Sequence, residues 1–300
     1  MSAAAHPPVA SLTARLVGAP ISWGVCEVPG WGPTLDPETV LAEMASLGLA
    51  GTELGPAGYL PRDPTALRRT LARHGLSPVA AFVPVVLDPE LRPPALAAAL
   101  EAADSLAAAG GRVLLVAPIA DELWSVRRPP GQELEALARG LERLDEAIGE
   151  RGLRMAVHPH AGSLIECAAE IEGLLERAHV SCCLDTGHLV IGGVDPAAFA
   201  REHGARVAHV HLKDVDADLA ASVAALELSL PEATRRGLFR PLGDGDAQIA
   251  QVLEELTRQG YGGWLTLEQD TMLDAAGARS PGADVARSLE FIRALDGARR

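Results

Sequence analysis

The sequence holds only four cysteines in 300 residues, Cys26, Cys167, Cys182 and Cys183. None stands in a CxxC pair, and the adjacent two lie in an apolar run where thiols behave as small hydrophobes, so they read as reduced and structural. No segment reaches roughly eighteen apolar residues without interruption, which removes the signature of a spanning helix. The opening MSAAAHPPVASLTA lacks a cationic stretch followed by an apolar one, so no secretory leader is read there and a cytoplasmic location is expected. Basic runs are missing too. A formal net charge of −14 repels phosphate backbones and anionic lipid, so neither nucleic acid nor a membrane is expected as a partner. Two motifs are absent as well. GAPISWG stands where a dinucleotide-binding sheet would carry GxGxxG, and no GxSxG elbow offers a serine nucleophile.

What is present is ample material for a core: 48% hydrophobic residues, with 30 Gly and 22 Pro as punctuation. Short β-like runs alternate with longer Ala- and Leu-rich stretches of helical spacing. The β-like runs number eight: RLVGAPIS from Arg15, AGTEL from Ala50, PVAAFVPVV from Pro78, RVLLVAP from Arg112, RMAVHPH from Arg154, VSCCLD from Val180, RVAHVHLKD from Arg206 and WLTLEQD from Trp264. Between them lie helical patterns such as PETVLAEMASLG and AQIAQVLEELTRQG, closed by a glycine in the usual stop position. Eight β-then-α units whose strands are apolar on both faces predict an α/β protein, a single-domain (β/α)8 TIM barrel over residues 14–300 behind a flexible tail at 1–13. A doubly wound open sheet is the alternative. One connection breaks the rhythm: from Val215 to Gly245 about thirty residues follow strand seven, with a short helix expected at Ala217–Leu228. It reads as a lid over the site or as a surface excursion. Asp246 in GDGDAQIA reads as a helix N-cap, and Arg235, Arg236 and Arg240 as solvated charges.

In such a barrel every C-terminal strand end points at one mouth, so polar side chains distant in sequence converge there. The sequence places Glu53, His158 with His160, Asp185 with His188, His211 with Lys213, and Glu268 at those ends. The steps are 27 residues from His158 to Asp185, 26 on to His211, and 57 on to Glu268 because the long connection intervenes. Strands five to eight are neighbours at about 4.8 Å, so His158, Asp185, His211 and Glu268 can meet on one ion. Two imidazoles and two carboxylates suit Mn2+, Co2+, Fe2+ or Zn2+ better than Ca2+. Residues 158 and 160 share a face by strand alternation, so one can ligate while the other meets the substrate. Each residue alone also has a purely structural reading, as a hydrogen-bonded histidine, a turn cap or an ion pair. The metal reading rests on their common register in consecutive units. Trp23, at the first strand end, reads either as a platform for a substrate ring or as a core residue.

The TELG, HPHAG, DTGH, HVHLKD, PLGDGD and LTLEQD segments resemble the xylose isomerase-like TIM barrels, the sugar phosphate isomerase/epimerase superfamily, over about Arg15 to Leu295. Within it the APISWG, GLFRPLGDGD and YGGWLTLEQD segments are most similar to the inosose dehydratases. The resemblance implies a divalent-metal site held by His158, Asp185, His211 and Glu268, with Mn2+ or Co2+ favoured and Zn2+, Fe2+ or Mg2+ open. It implies a small-molecule polyol or sugar substrate and leaves homo-oligomerisation open. Epimerase members pair two glutamates across a carbon, and this chain has His158 at the strand-five position. That departure favours dehydration of a keto-polyol such as scyllo-inosose through a metal-stabilised enolate. Sugar isomerisation or 3-epimerisation on the same site is the alternative, followed by a non-catalytic polyol-binding barrel and an endonuclease-like phosphodiesterase. Glu53, His160, His188, Lys213 and Glu268 are then the candidate acids and bases, and Trp23, Glu53, His188 and Lys213 the candidate substrate contacts.

Overall fold

The computed structural model describes residues 11–86, 93–126, 128–273 and 280–298. Eight parallel staves follow the eight β-like runs: β1 Leu16–Gly18, β2 Gly51–Thr52, β3 in two pieces at Ser77–Pro78 and Ala80–Val86, β4 Val113–Ile119, β5 Arg154–Val157, β6 Ser181–Asp185, β7 Val207–Leu212 and β8 Leu265–Leu267. Each pairs with its successor, and β8 pairs with β1 through Leu16 opposite Leu265. The third stave is broken at Val79. Its first piece pairs with β2 and its second with β4, so the ring of parallel pairings closes through one continuous stretch of chain. The open-sheet alternative is thereby excluded. β1 is shorter than the run that announced it, because Pro20 has no N–H for the ladder and starts a 3-10 turn over Pro20–Trp23.

Helices α1 Pro37–Ser46, α2 Pro64–Arg73, α3 Pro93–Ala109, α4 Gly131–Gly149 and α5 Ala168–Arg177 return the chain between staves. After β6 come α6 Thr186–Ile191 and α7 Pro196–His203. Starts are fixed locally: Asp36, Asp63 and Asp195 each cap a following proline-led helix, with Asp36 accepting from the Thr39 amide at 3.0 Å. In α4 the buried positions Leu134, Leu137, Ala138, Leu141, Leu144 and Ile148 recur at three and four residues, so one stripe lies on the barrel. Truncating one of these leucines to alanine costs about 2–5 kcal/mol.

The long connection is an organised excursion. It holds α8 Ala217–Ala224 and α9 Leu230–Arg235, then a two-residue ribbon in which Phe239–Arg240 pairs antiparallel with Asp214–Val215. The single helix expected at Ala217–Leu228 therefore ends four residues early. Asp214, itself buried, gathers the GDGD turn: its Oδ2 accepts from the amides of Gly243 at 2.8 Å and Gly245 at 3.2 Å, and its Oδ1 from Ala247 at 2.9 Å. A Cβ on Gly245 would stand 2.6 Å from that carboxylate, so glycine is required there by packing. Asp246 is not the N-cap that its place in the sequence suggested. α10 begins at Ile249 behind Gln248, and Asp246 Oδ2 accepts from the Ala217 amide at the start of α8. Arg236 and Arg240 pair with Glu232 and Asp216, and Arg235 donates to the Gly30 carbonyl.

The last helix, α11 Pro281–Ala298, packs against the 3-10 turns Thr13–Arg15 and Pro20–Trp23 on either side of β1. Asp296 on it accepts from the Leu12 amide at 3.2 Å and the Thr13 hydroxyl at 2.5 Å, and Leu12 is buried. Residues 1–10 of the expected tail lie outside the described residues. Among the described residues no helix is long and apolar enough to cross a membrane.

Candidate metal centre

Consecutive staves bring the four expected ligands together around His211: Asp185, His211 and Glu268 each offer an atom within 4.8 Å of the others, and His158 joins them through His211 and Asp185. His158 directly follows β5 and keeps its amide on Val116 O at 2.8 Å; Asp185 ends β6, His211 is the penultimate residue of β7, and Glu268 follows β8 with its amide on Leu212 O at 3.0 Å. His158 Nε2 lies 3.2 Å from His211 Nδ1 and 3.5 Å from Asp185 Oδ2. His211 Nδ1 lies 3.2 Å from Asp185 Oδ2 and 2.5 Å from Glu268 Oε2. An ion with ligand bonds of about 2.1 Å separates neighbouring ligand atoms by roughly 3.0 Å in an octahedron and 3.4 Å in a tetrahedron. The three separations among His158, Asp185 and His211 are therefore close to those of a coordination shell, while Glu268 stands nearer to His211 than two ligands of one ion would.

The hydrogen bonds around the cluster decide which atoms carry lone pairs. His158 Nδ1 is 2.8 Å from the Pro159 carbonyl and must donate to it, so Nε2 presents a lone pair. His211 Nε2 is 2.9 Å from Glu53 Oε1 and donates to it, so Nδ1 presents another. Glu268 Oε2 is buried and has His211 Nδ1 as its close polar neighbour. Four lone-pair atoms converging in a site shut off from water repel one another unless a positive charge sits among them. The charge count agrees: Glu53, Asp185, Glu268 and Asp270 form one buried cluster whose fixed cation is Lys213. Burial works to lower the His211 pKa, yet Cys183, Glu268 and Glu53 beside it raise it well above its ordinary value. A proton is drawn to the place where a cation would sit. The donor set fits a divalent ion on geometry, lone pairs and charge together.

Around this centre lie the acid and base candidates. Lys213 Nζ is 3.0 Å from Asp270 Oδ1, 3.3 Å from Asp185 Oδ2, 3.6 Å from Glu268 Oε1 and 3.1 Å from His188 Nε2. Burial would strip its proton, but Asp185, Asp270 and Glu268 hold it as ammonium. Its aliphatic stem needs room beside the DTGH turn, where a Cβ on Gly187 would come within 2.7 Å of Lys213 Cγ. The Asp185 carboxylate serves two purposes, since its Oδ1 also accepts from the His188 amide and caps α6. Burial opposes its charge, while the Lys213 ammonium holds it well below the usual carboxylate range.

His160 and His188 stack with ring centroids 3.7 Å apart. Burial, reinforced by His158 and Lys213, pushes the His160 pKa well below its ordinary value; burial, His160 and Lys213 do the same to His188. Both imidazoles are neutral near pH 7. His160 Nδ1 donates to the Ala161 carbonyl at 2.8 Å, which makes Nε2 its basic nitrogen.

Two expected residues stand elsewhere. Trp23 is fully buried and its Nε1–H donates to Glu43 on α1 at 2.7 Å, so it offers no ring face to a substrate; the close-packed core wins over the mouth because the 3-10 turn after β1 folds it inward. Glu53 lies beneath the ligands. Its Oε1 accepts from His209 Nε2 at 2.8 Å, His211 Nε2 at 2.9 Å and Thr266 Oγ1 at 2.8 Å. Burial opposes its charge, but His211 and His209 hold it well below the carboxylate range.

Five residues went unread in the sequence. His209 and Thr266 precede His211 and Glu268 by two, and Asp270 follows Glu268 by two, so strand alternation alone marks the three as neighbours on the same face. Burial pushes Asp270 up to about 6 although Lys213 pulls it down. Trp124 and Phe239 come from loops and carry no such signal. Trp124 packs on His160 with centroids 4.8 Å apart, and Phe239 lies 5.3 Å beneath the Lys213 ammonium.

Comparison with known proteins places this geometry. The model of the xylose isomerase-like TIM barrel family matches residues 41–295. An inosose dehydratase of Geobacillus kaustophilus (strain HTA426) is 32% identical over 270 residues, covering 85% of this chain and 87% of its own. The rhizopine catabolism protein MocC of Rhizobium meliloti is 33% identical over 261 residues, covering 84% and 80%. Among solved structures, an L-ribulose 3-epimerase superposes with a TM-score of 0.70 at 19% identity, covering 96% of each chain. Its likeness is one of fold. By family model and by relatives that match along most of their length, the chain belongs to the xylose isomerase-like TIM barrels, closely related to their inosose dehydratases, and its buried ligand cluster marks it as a metal-dependent enzyme.

Proposed function

We propose that the protein is a hydro-lyase that removes water from a cyclic keto-polyol, with scyllo-inosose as the substrate to test. The observation that carries the reading is the strand-five position. His158 offers a lone pair to the metal centre where a two-base epimerase needs a carboxylate, while a neutral imidazole and a buried ammonium stand beside it. One base and one acid suffice for elimination, whereas inversion at a carbon needs a base on each face. The names of the relatives support the same chemistry.

His158, Asp185, His211 and Glu268 would hold a divalent ion. When bound, a divalent cation such as Mn2+ or Co2+ acts as a Lewis acid that makes the C–H next to a ketone acidic. His160 Nε2 takes that proton. The electron pair of the C–H bond becomes the new carbon–carbon double bond as the C–O bond to the β-hydroxyl breaks. Lys213 gives a proton to the departing oxygen, so one water leaves, and His188 at 3.1 Å shares the charge of the amine. After the product leaves, His160 releases the proton it took to solvent and Lys213, held by Asp270, takes one back, which restores both groups. Trp124 and Phe239 wall the site and keep solvent from the reacting carbons.

The test is incubation of purified protein with Mn2+ or Co2+ and scyllo-inosose, followed by NMR in deuterated water. Loss of one water per substrate, abolished by His160→Gln, is the expected result. Deuterium entering the recovered polyol without water loss replaces the reading with isomerisation or epimerisation. An untouched substrate removes the assignment.

A further inference from the structure

Below the metal centre the barrel interior is polar where such barrels are normally filled by branched apolar side chains. His209 and Thr266 occupy the inward positions one layer beneath His211 and Glu268, and Glu53 reaches in from the end of β2; Thr266 is fully buried, and His209 and Glu53 nearly so. Three donors fall on one atom, Glu53 Oε1: the Nε2 of His209 at 2.8 Å, the Nε2 of His211 at 2.9 Å and the hydroxyl of Thr266 at 2.8 Å. His209 Nε2 also lies 2.9 Å from Thr266 Oγ1, which closes the network on itself. An oxygen with three donors has no lone pair left for a substrate proton, and its partner His211 is turned with its other nitrogen to the ligand cluster.

We infer that Glu53 is a positioning residue for the metal centre: held by His209 and Thr266, it fixes the proton of His211 on Nε2 and so delivers Nδ1 to the ion as a lone pair. The inference rests on the metal site of the preceding reading and is independent of the chemistry done there. The charge of the carboxylate is what holds the His211 proton, since an amide oxygen placed at Oε1 can accept the same three donors but, being neutral, holds the proton on His211 Nε2 less firmly and leaves Nδ1 a weaker ligand. Partners of this kind behind a ligating histidine set its ring orientation and basicity, and their loss typically weakens metal binding 10- to 100-fold.

The experiment is a Zn2+ titration of chelator-stripped wild type, Glu53→Gln and Thr266→Val by calorimetry against a competing chelator. It is combined with histidine 15N NMR of the Zn2+-loaded proteins and with the thermal midpoints of the metal-free ones. Glu53→Gln is expected to bind Zn2+ roughly 10- to 100-fold more weakly and to shift the signal of the metal-bound Nδ1 with protonated Nε2. Thr266→Val, which keeps the charge and drops one donor, is expected to keep that signal and weaken binding by less than about tenfold, and it serves if Glu53→Gln does not fold. Affinity within about threefold of wild type in the folded variants overturns the inference, as does a loss matched by the fall in folded fraction. Failure of wild type to take up an ion that Asp185→Ala abolishes overturns the metal site itself, and with it this role.

Discussion

Lys213 is the charge on which the metal-free site depends, and its removal has a calculable effect. Methionine at 213 keeps the length of the side chain and its contact with Phe239 but takes away the ammonium that faces Asp270 at 3.0 Å, Asp185 at 3.3 Å and Glu268 at 3.6 Å. Removing one partner of a buried, hydrogen-bonded ion cluster typically costs about 3–5 kcal/mol, because the remaining charge stays buried without compensation. An unfolding entropy near 2.1 cal/mol/K per residue gives, for 300 residues, about 0.6 kcal/mol per degree, so the midpoint of Lys213→Met should fall by roughly 5–8 °C. Adding Asp270→Asn removes one of the stranded carboxylates, and the double variant should be more stable than the sum of the two single losses by about 1–3 kcal/mol. Differential scanning calorimetry of chelator-treated protein measures all four corners of the cycle. A single loss near 1 °C, or strict additivity of the pair, refutes the account of Lys213 as the compensating charge. A saturating divalent cation should shrink the penalty, since it neutralises the same carboxylates.

Further outcomes follow from the same geometry. A divalent ion at about a hundred times its dissociation constant should add about 2.7 kcal/mol of stability, or roughly 4 °C, and Asp185→Ala should abolish that increment in a thermal melt. Trp23→Phe should cost about 1 kcal/mol through the lost bond to Glu43 and leave KM unchanged; a several-fold rise in KM would return Trp23 to the substrate. Gly187→Ala places a methyl 2.7 Å from Lys213 Cγ and should destabilise by about 1–3 kcal/mol while lowering kcat more than it raises KM, which steady-state kinetics and a melt together resolve.

The barrel was legible because its two periods are strong. Alternation of apolar runs and amphipathic stretches located all eight staves, and the polar residues at their ends fell into one register, so His158, Asp185, His211 and Glu268 were expected, and are found, at the ends of β5 to β8. What escaped the sequence was decided by packing and by loops. Nothing in PISWG says that the turn after β1 closes inward and buries the indole of Trp23 against Glu43. Nothing local says that Asp246 serves α8 across a turn that Asp214 has gathered, because the bonds concerned join residues some thirty positions apart. Trp124 and Phe239 belong to connections whose path is set by what they cover.

Glu53 is the instructive case between these extremes. Its stave position was read correctly, yet its carboxylate is buried against His209, His211 and Thr266. A carboxylate at the rim would meet solvent or substrate and act as a base. Enclosed by donors, the same group meets His209, His211 and Thr266, and its charge holds the protons of other residues in place. The side chains that adjoining staves turn toward a strand-end carboxylate, which residue spacing does not show, therefore decide whether a carboxylate on this scaffold takes part in the chemistry or orients the histidine that does.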